Sequence, residues 1–165
     1  MILKFKTSHK LNTDDQIIIK QMATRICNQG REYFINNYQR DKSMKLYTMN
    51  MNGFGAELAF CRLCKIDFDA STKENENHYL NPDGILKDGR TVDVKNTVYP
   101  NGKLLVRCGK ELMRVDMYVL MTGTFPVFTF SGFAYYDEII NDDNITNLGY
   151  GESYCLNQNQ LHKDL

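Results

Sequence analysis

The sequence predicts an α/β (α+β) fold, a central mixed β-sheet flanked by helices. Three observations predict it. Helical signals dominate the first third of the chain, strand-like runs dominate residues 84–135, and Asp88-Gly89 separates two of those runs as a hairpin turn.

The elements follow in order. Thr13-Asp14-Asp15-Gln16 is a capping-box pattern, and Ile17, Ile18, Met22, Ala23 and Ile26 continue it as an amphipathic helix to about residue 29. Residues 31–52 are polar and aromatic, a second helix plus a loop. Gly53-Phe54-Gly55 reads as a glycine-rich lead-in to a helix ending near Lys65. That reading puts Glu57 in or near the first turn, where the helix dipole favours an anion. Residues 67–76 form a polar connection, and the hairpin follows. Leu104-Leu105-Val106 is a strand, residues 110–114 a short helical piece, and residues 116–121 an apolar strand buried in the sheet. Thr122-Gly123-Thr124 is a turn into a further strand over 127–135, and the tail from Asp137 is turn-rich and acidic. No internal repeat, low-complexity tract or linker interrupts the 165 residues, so one domain is expected.

The hairpin carries the chemistry. A two-residue turn at Asp88-Gly89 pairs Lys87 with Arg90 and sends Asp83 and Asp93 to opposite faces. A three-residue loop, with Gly89 left-handed, pairs Leu86 with Arg90 and Asp83 with Asp93. Asp83, Ile85, Thr91, Asp93 and Lys95 then share one face, while Leu86, Val92 and Val94 point into the core. Opposed carboxylates repel unless a cation lies between them, so the three-residue register implies a cation. Two carboxylates and a nearby lysine are what a Mg²⁺-dependent phosphodiesterase needs: oxygen ligands for a hard ion, and an ammonium to offset charge at phosphate.

A helix-borne Glu57, then Pro82-Asp83, then Asp93-Val94-Lys95 resembles the PD-(D/E)XK, or restriction-endonuclease-like, nuclease superfamily. The likeness extends to phage and archaeal junction-resolving enzymes, and its motifs cover about residues 53–97. It implies a restriction-endonuclease-like core. It also implies Asp83, Asp93 and the Val94 carbonyl as metal ligands, Glu57 as a further ligand directly or through water, and Lys95 as the catalytic lysine. The cofactor is then Mg²⁺, with Mn²⁺ as a substitute, and the activity is endonucleolytic cleavage of DNA. The glutamine that follows the lysine in many exonuclease relatives has no clear counterpart. On this reading the chain is a single nuclease domain, with a basic helical part over 1–50, a catalytic core over 53–135 and an acidic tail over 136–165. Its small size favours a homodimer.

Composition agrees. With 42% hydrophobic and 24% charged residues the chain is an ordinary globular protein. It has no run as long as a membrane span, and its start is too short and too charged for a signal peptide, so an intracellular, non-secreted location is expected, in a cytoplasm or a virus-infected host. The net charge of zero is unevenly spread. Residues 1–50 hold nine Lys or Arg against four acids, and residues 111–165 hold two against eight. Such asymmetry aims the basic part at a polyanion, with Lys10, Lys20, Arg25, Arg31, Arg40, Lys42 and Lys45 as DNA backbone contacts. Tyr33, Tyr38 and Tyr47 could stack on unpaired bases, but core packing is the simpler role. Cys61 and Cys64 form a C-x-x-C pair, yet both lie in an apolar helical stripe and no second pair accompanies them, which favours packing over a metal–thiolate site. His9, His78 and His162 are scattered, which argues against a histidine-metal nuclease.

Overall fold

A computed structural model describes residues 2–28, 45–71, 81–109, 114–149 and 151–165. Helix α1, Thr13–Asn28, buries Ile19, Met22, Ala23 and Ile26 along one face. Its cap falls one residue before the expected capping box. The Asn12 side chain accepts the Asp15 N–H at 2.9 Å, so Asn12 rather than Thr13 satisfies the first turn.

Helix α2, Leu46–Cys64, corrects a larger expectation. Gly53 and Gly55 lie inside the helix, not ahead of it, and Glu57 sits mid-helix, where the dipole argument no longer applies. The reason is packing: a Cβ on Gly55 would lie 2.8 Å from Cζ of the buried Phe128 ring. The helix therefore gives up propensity at this position to approach the sheet closely. Arg62 at the far end of α2 grips Asp15 of α1 through Nη2 at 2.7 Å and Nε at 3.1 Å.

The main sheet has five strands in the order β1 (Ser8–Lys10), β6 (Val127–Tyr135), β5 (Met117–Thr124), β3 (Thr91–Thr97), β2 (Gly84–Ile85). It is mixed, since β3 and β5 run parallel and the other pairs antiparallel. The expected turn at 122–124 is instead the end of β5, and the chain reverses at Phe125-Pro126. A second sheet, in the order β4 (Leu104–Arg107), β8 (Glu152–Leu156), β7 (Ile145–Asn147), was not expected, because the acidic tail reads as turns. The helical piece expected at 110–114 falls almost wholly outside the described residues.

Three layers result. Val92, Val94, Met117, Val119 and Phe130 of the main sheet share one core with α1 and α2. Tyr118, Leu120 and Ala134 on the opposite face share another with Leu104, Val106, Tyr154 and Leu156 of the second sheet, and with Ile139 of α3 (Tyr136–Ile139). The protein is thus mixed α+β. No helix among the described residues is long and apolar enough to cross a membrane.

The starts of β3 and β5 are clamped together. Asp116 Oδ2 accepts the Thr91 N–H at 2.7 Å and its hydroxyl at 2.8 Å, while the Asp116 N–H donates to the Thr91 carbonyl at 3.1 Å. These Thr91 hydrogen bonds hold the Asp116 carboxyl below the ordinary carboxylate range. Glu138 is also lowered: desolvation pulls it up, but the His162 ring and the Tyr135 N–H outweigh that. A carboxyl lowered in the folded state adds stability above its unfolded pKa and loses it as pH falls through the folded value. Thermal unfolding followed from about pH 6 down to pH 2 should therefore show an acid limb that Asp116→Asn flattens.

Candidate active site

The hairpin takes the three-residue loop. Leu86 N–H donates to the Arg90 carbonyl at 2.8 Å, Gly89 is left-handed at φ 90°, and the strands pair Gly84 with Val92 and Ile85 with Thr91. The paired register ends at Gly84–Val92, and Asp83 turns its N–H onto the Val92 carbonyl at 2.8 Å, so it lies at the end of the hairpin against the Val92–Val94 segment rather than as a ladder partner of Asp93. Side chains alternate as expected. Val92 and Val94 enter the helix-side core and Leu86 packs against it, while Ile85 is exposed.

Asp93 and Lys95 project from the other face of β3, beside the β5 residues Tyr118 and Leu120 that are their register partners. Asp93 is only 3% exposed, and Lys95 Nζ forms an ion pair with its Oδ1. The lysine also runs over the buried Tyr118 ring, with Nζ 5.9 Å from the centroid. Partial burial makes this pair more than the loose surface contact that an Asp-x-Lys pattern often forms.

Asp83 brackets its counterpart. Its N–H donates to the Val92 carbonyl at 2.8 Å, and its Oδ2 accepts the Val94 N–H at 2.8 Å. Backbone and side chain of Asp83 thus engage the two peptide groups on either side of Asp93. Pro82 precedes it with no N–H to offer.

Glu57 approaches from the helix layer. Cys61, one turn further along α2, lies with Sγ 4.0 Å from the Asp83 carbonyl, so the Glu57 stripe of α2 faces the hairpin edge. One oxygen of the Glu57 carboxylate is shielded from solvent. The four residues are not gathered into one cluster, however. Among the described residues no group of three Asp, Glu, His or Cys side chains could hold a metal ion. Sheet layering explains this: α2 packs on one face of β3, and Asp93 with Lys95 stands on the other.

The donor set nonetheless suits Mg²⁺. Asp83, Asp93 and the Val94 carbonyl offer hard oxygens on adjacent edge positions, and Mg²⁺ is commonly held by one or two carboxylates with water completing its shell. Cys64 suits no thiolate role, since burial pushes its thiol up to about 11.

Of the basic residues expected to meet DNA, Lys10 on β1, Lys20 and Arg25 on α1, and Lys45 ahead of α2 are exposed. Arg31, Arg40 and Lys42 lie outside the described residues, as do Tyr33, Tyr38 and His78. Sequence reasoning missed the Asp116–Thr91 clamp and an apolar cleft of about 380 Å³ past the end of β3, lined by Tyr47, Met51, Val98 and Phe125. The Phe-Pro pair at 125–126 was the signal available for the second. No protein-family model matches the chain, and no curated protein matches its sequence.

Proposed function

We propose that the protein is a Mg²⁺-dependent DNA endonuclease with a restriction-endonuclease-like core. One observation carries the reading: Asp83 engages the Val92 carbonyl and the Val94 N–H on either side of Asp93, and Lys95 pairs with Asp93.

In this site Asp83, Asp93 and the Val94 carbonyl would hold the ion, and Glu57, on the α2 side of the sheet, would reach it only through bridging water. The ion supplies Lewis-acid polarisation of the phosphodiester and acidifies water. Lys95, oriented by Asp93 and by the Tyr118 ring, positions the attacking water and offsets charge developing on the phosphate. Asp83 fixes the peptide groups around Asp93, so the carboxylate that faces Lys95 does not wander. In-line attack then breaks one P–O bond of the DNA backbone, leaving a 5′-phosphate.

A second reading has its own support. The Asp83 carboxylate satisfies the Val94 N–H, and Asp93 satisfies Lys95, so both acids also have a purely structural use in a DNA-binding module without turnover. Labelled duplex, single-stranded and four-way-junction DNA incubated with Mg²⁺ or Mn²⁺ separates the two. Cutting that EDTA abolishes is the expected result. Binding without cutting of any of the three substrates would favour the non-catalytic module.

A further inference from the structure

We infer that the cleft at the end of β3 holds the base of an unpaired nucleotide, which makes the substrate class DNA carrying a single-stranded segment. The inference rests on the nuclease reading only for the word substrate; the base-binding site stands on its own geometry.

The cleft is walled by Tyr47, Thr48 and Met51 from the first turns of α2, by Val98 just past β3, and by Thr124 and Phe125 at the β5–β6 turn. Its volume of about 380 Å³ falls in the range of small-ligand pockets, roughly 300–1,000 Å³. Its walls are held in place before anything binds. Asn52 Oδ1 accepts the Phe125 N–H at 2.9 Å and ties the turn to α2. The Asn96 side-chain amide donates to the Met121 and Gly123 carbonyls at 3.2 and 3.3 Å, and so fixes the end of β3 against β5.

Charge says what the occupant is. Three exposed lysines lie on or beside the elements that border the cleft. Lys20 Nζ stands 5.9 Å over the Phe125 ring, Lys10 is the register partner of Val127, and Lys45 immediately precedes α2. Among the described residues no acidic side chain lines the cleft. An apolar slot with two aromatic walls and a cationic rim matches a nucleobase with phosphates on either side. Stacking supplies the affinity and lysines track the backbone. An apolar peptide would leave the three ammonium groups without a counter-charge. The slot lies three residues beyond Lys95 along β3, about 10 Å of strand, on the α2 side of the sheet.

The test is fluorescence anisotropy with a labelled thymidine oligonucleotide and a labelled duplex, in EDTA so that no cutting intervenes. The whole chain should bind the single strand, and Tyr47→Ala should weaken that by about ten-fold or more while changing duplex affinity little. Tyr47→Phe should keep the affinity. Thr48→Glu is the second variant: a carboxylate in the first turn of α2 suits the helix dipole, yet it places an anion in the slot, so the fold persists and single-strand binding falls. Unchanged single-strand affinity in Tyr47→Ala and Thr48→Glu would overturn the inference, as would a wild-type chain that binds only duplex. Because cutting is not read, failure here leaves the nuclease reading intact, and failure of Lys95-dependent cutting leaves this one intact.

Discussion

Lys95→Ala should lose DNA cleavage by about 10³-fold or more while retaining DNA affinity within a few-fold. On the proposed mechanism the loss is large because the ammonium acts where charge develops on the phosphate, and Lys95 is paired with the Asp93 carboxylate. Binding should survive because the backbone contacts proposed for Lys10, Lys20, Arg25 and Lys45 fall on β1, on α1 and at the start of α2 rather than on the hairpin. The variant also withdraws the ion-pair partner of a carboxylate that is 3% exposed, so folding must be checked beside activity. Asp93→Asn provides the complement. It keeps the shape, removes the charge, and should be equally inactive even at raised Mg²⁺. Retained turnover in Lys95→Ala, with circular dichroism confirming a folded chain, would end the nuclease assignment.

The second large effect concerns stability. Arg62→Ala should cost about 3 kcal/mol, at the low end for breaking a buried pair because the guanidinium side is 42% exposed while Asp15 is 3% exposed. Asp15 hydrogen-bonding and charge hold the Arg62 guanidinium above its ordinary value, the same attraction seen from the other partner. Without it, a carboxylate stays buried between α1 and α2 with its main counter-charge gone. Asp15→Asn in the Arg62→Ala background should restore a good part of the loss, since a neutral amide is far cheaper to bury. Urea unfolding of the two singles and the double measures this, and additive losses would show that the pair does not couple the helices.

What the sequence made readable follows from what each signal encodes. The hairpin register could be read because Asp88-Gly89 fixes the turn chemistry, and because a slip of one residue would have pushed Val92 and Val94 out of the core. The strands through 117–121 and over 127–135 could be read as dense runs of apolar residues, whereas residues 122–124, the end of β5, read as a turn. Helix α2 was misread at its start because glycine is a breaker by propensity, whereas Gly55 is there for the Phe128 ring, a contact more than seventy residues away. Strands β7 and β8 were illegible for a related reason. Ile145-Thr146-Asn147 and Glu152–Leu156 carry little alternation of their own and become a sheet only by pairing with one another and with β4. For the site, the order of acids and lysine was legible. Which face of β3 each acid takes relative to α2 was not, because the layer that α2 packs on is a property of the assembled fold.

The Asp83 carboxylate on the Val94 N–H has one more consequence. Among the described residues strand β2 covers only two residues of β3, which leaves most of that strand as an outer border whose amides could pair with a neighbouring molecule's chain. The carboxylate occupies the position that an incoming carbonyl would take, and its charge repels one. The residue proposed to hold a metal would therefore also hinder copies of this protein from pairing along β3, and Asp83→Ala should raise light scattering on concentration.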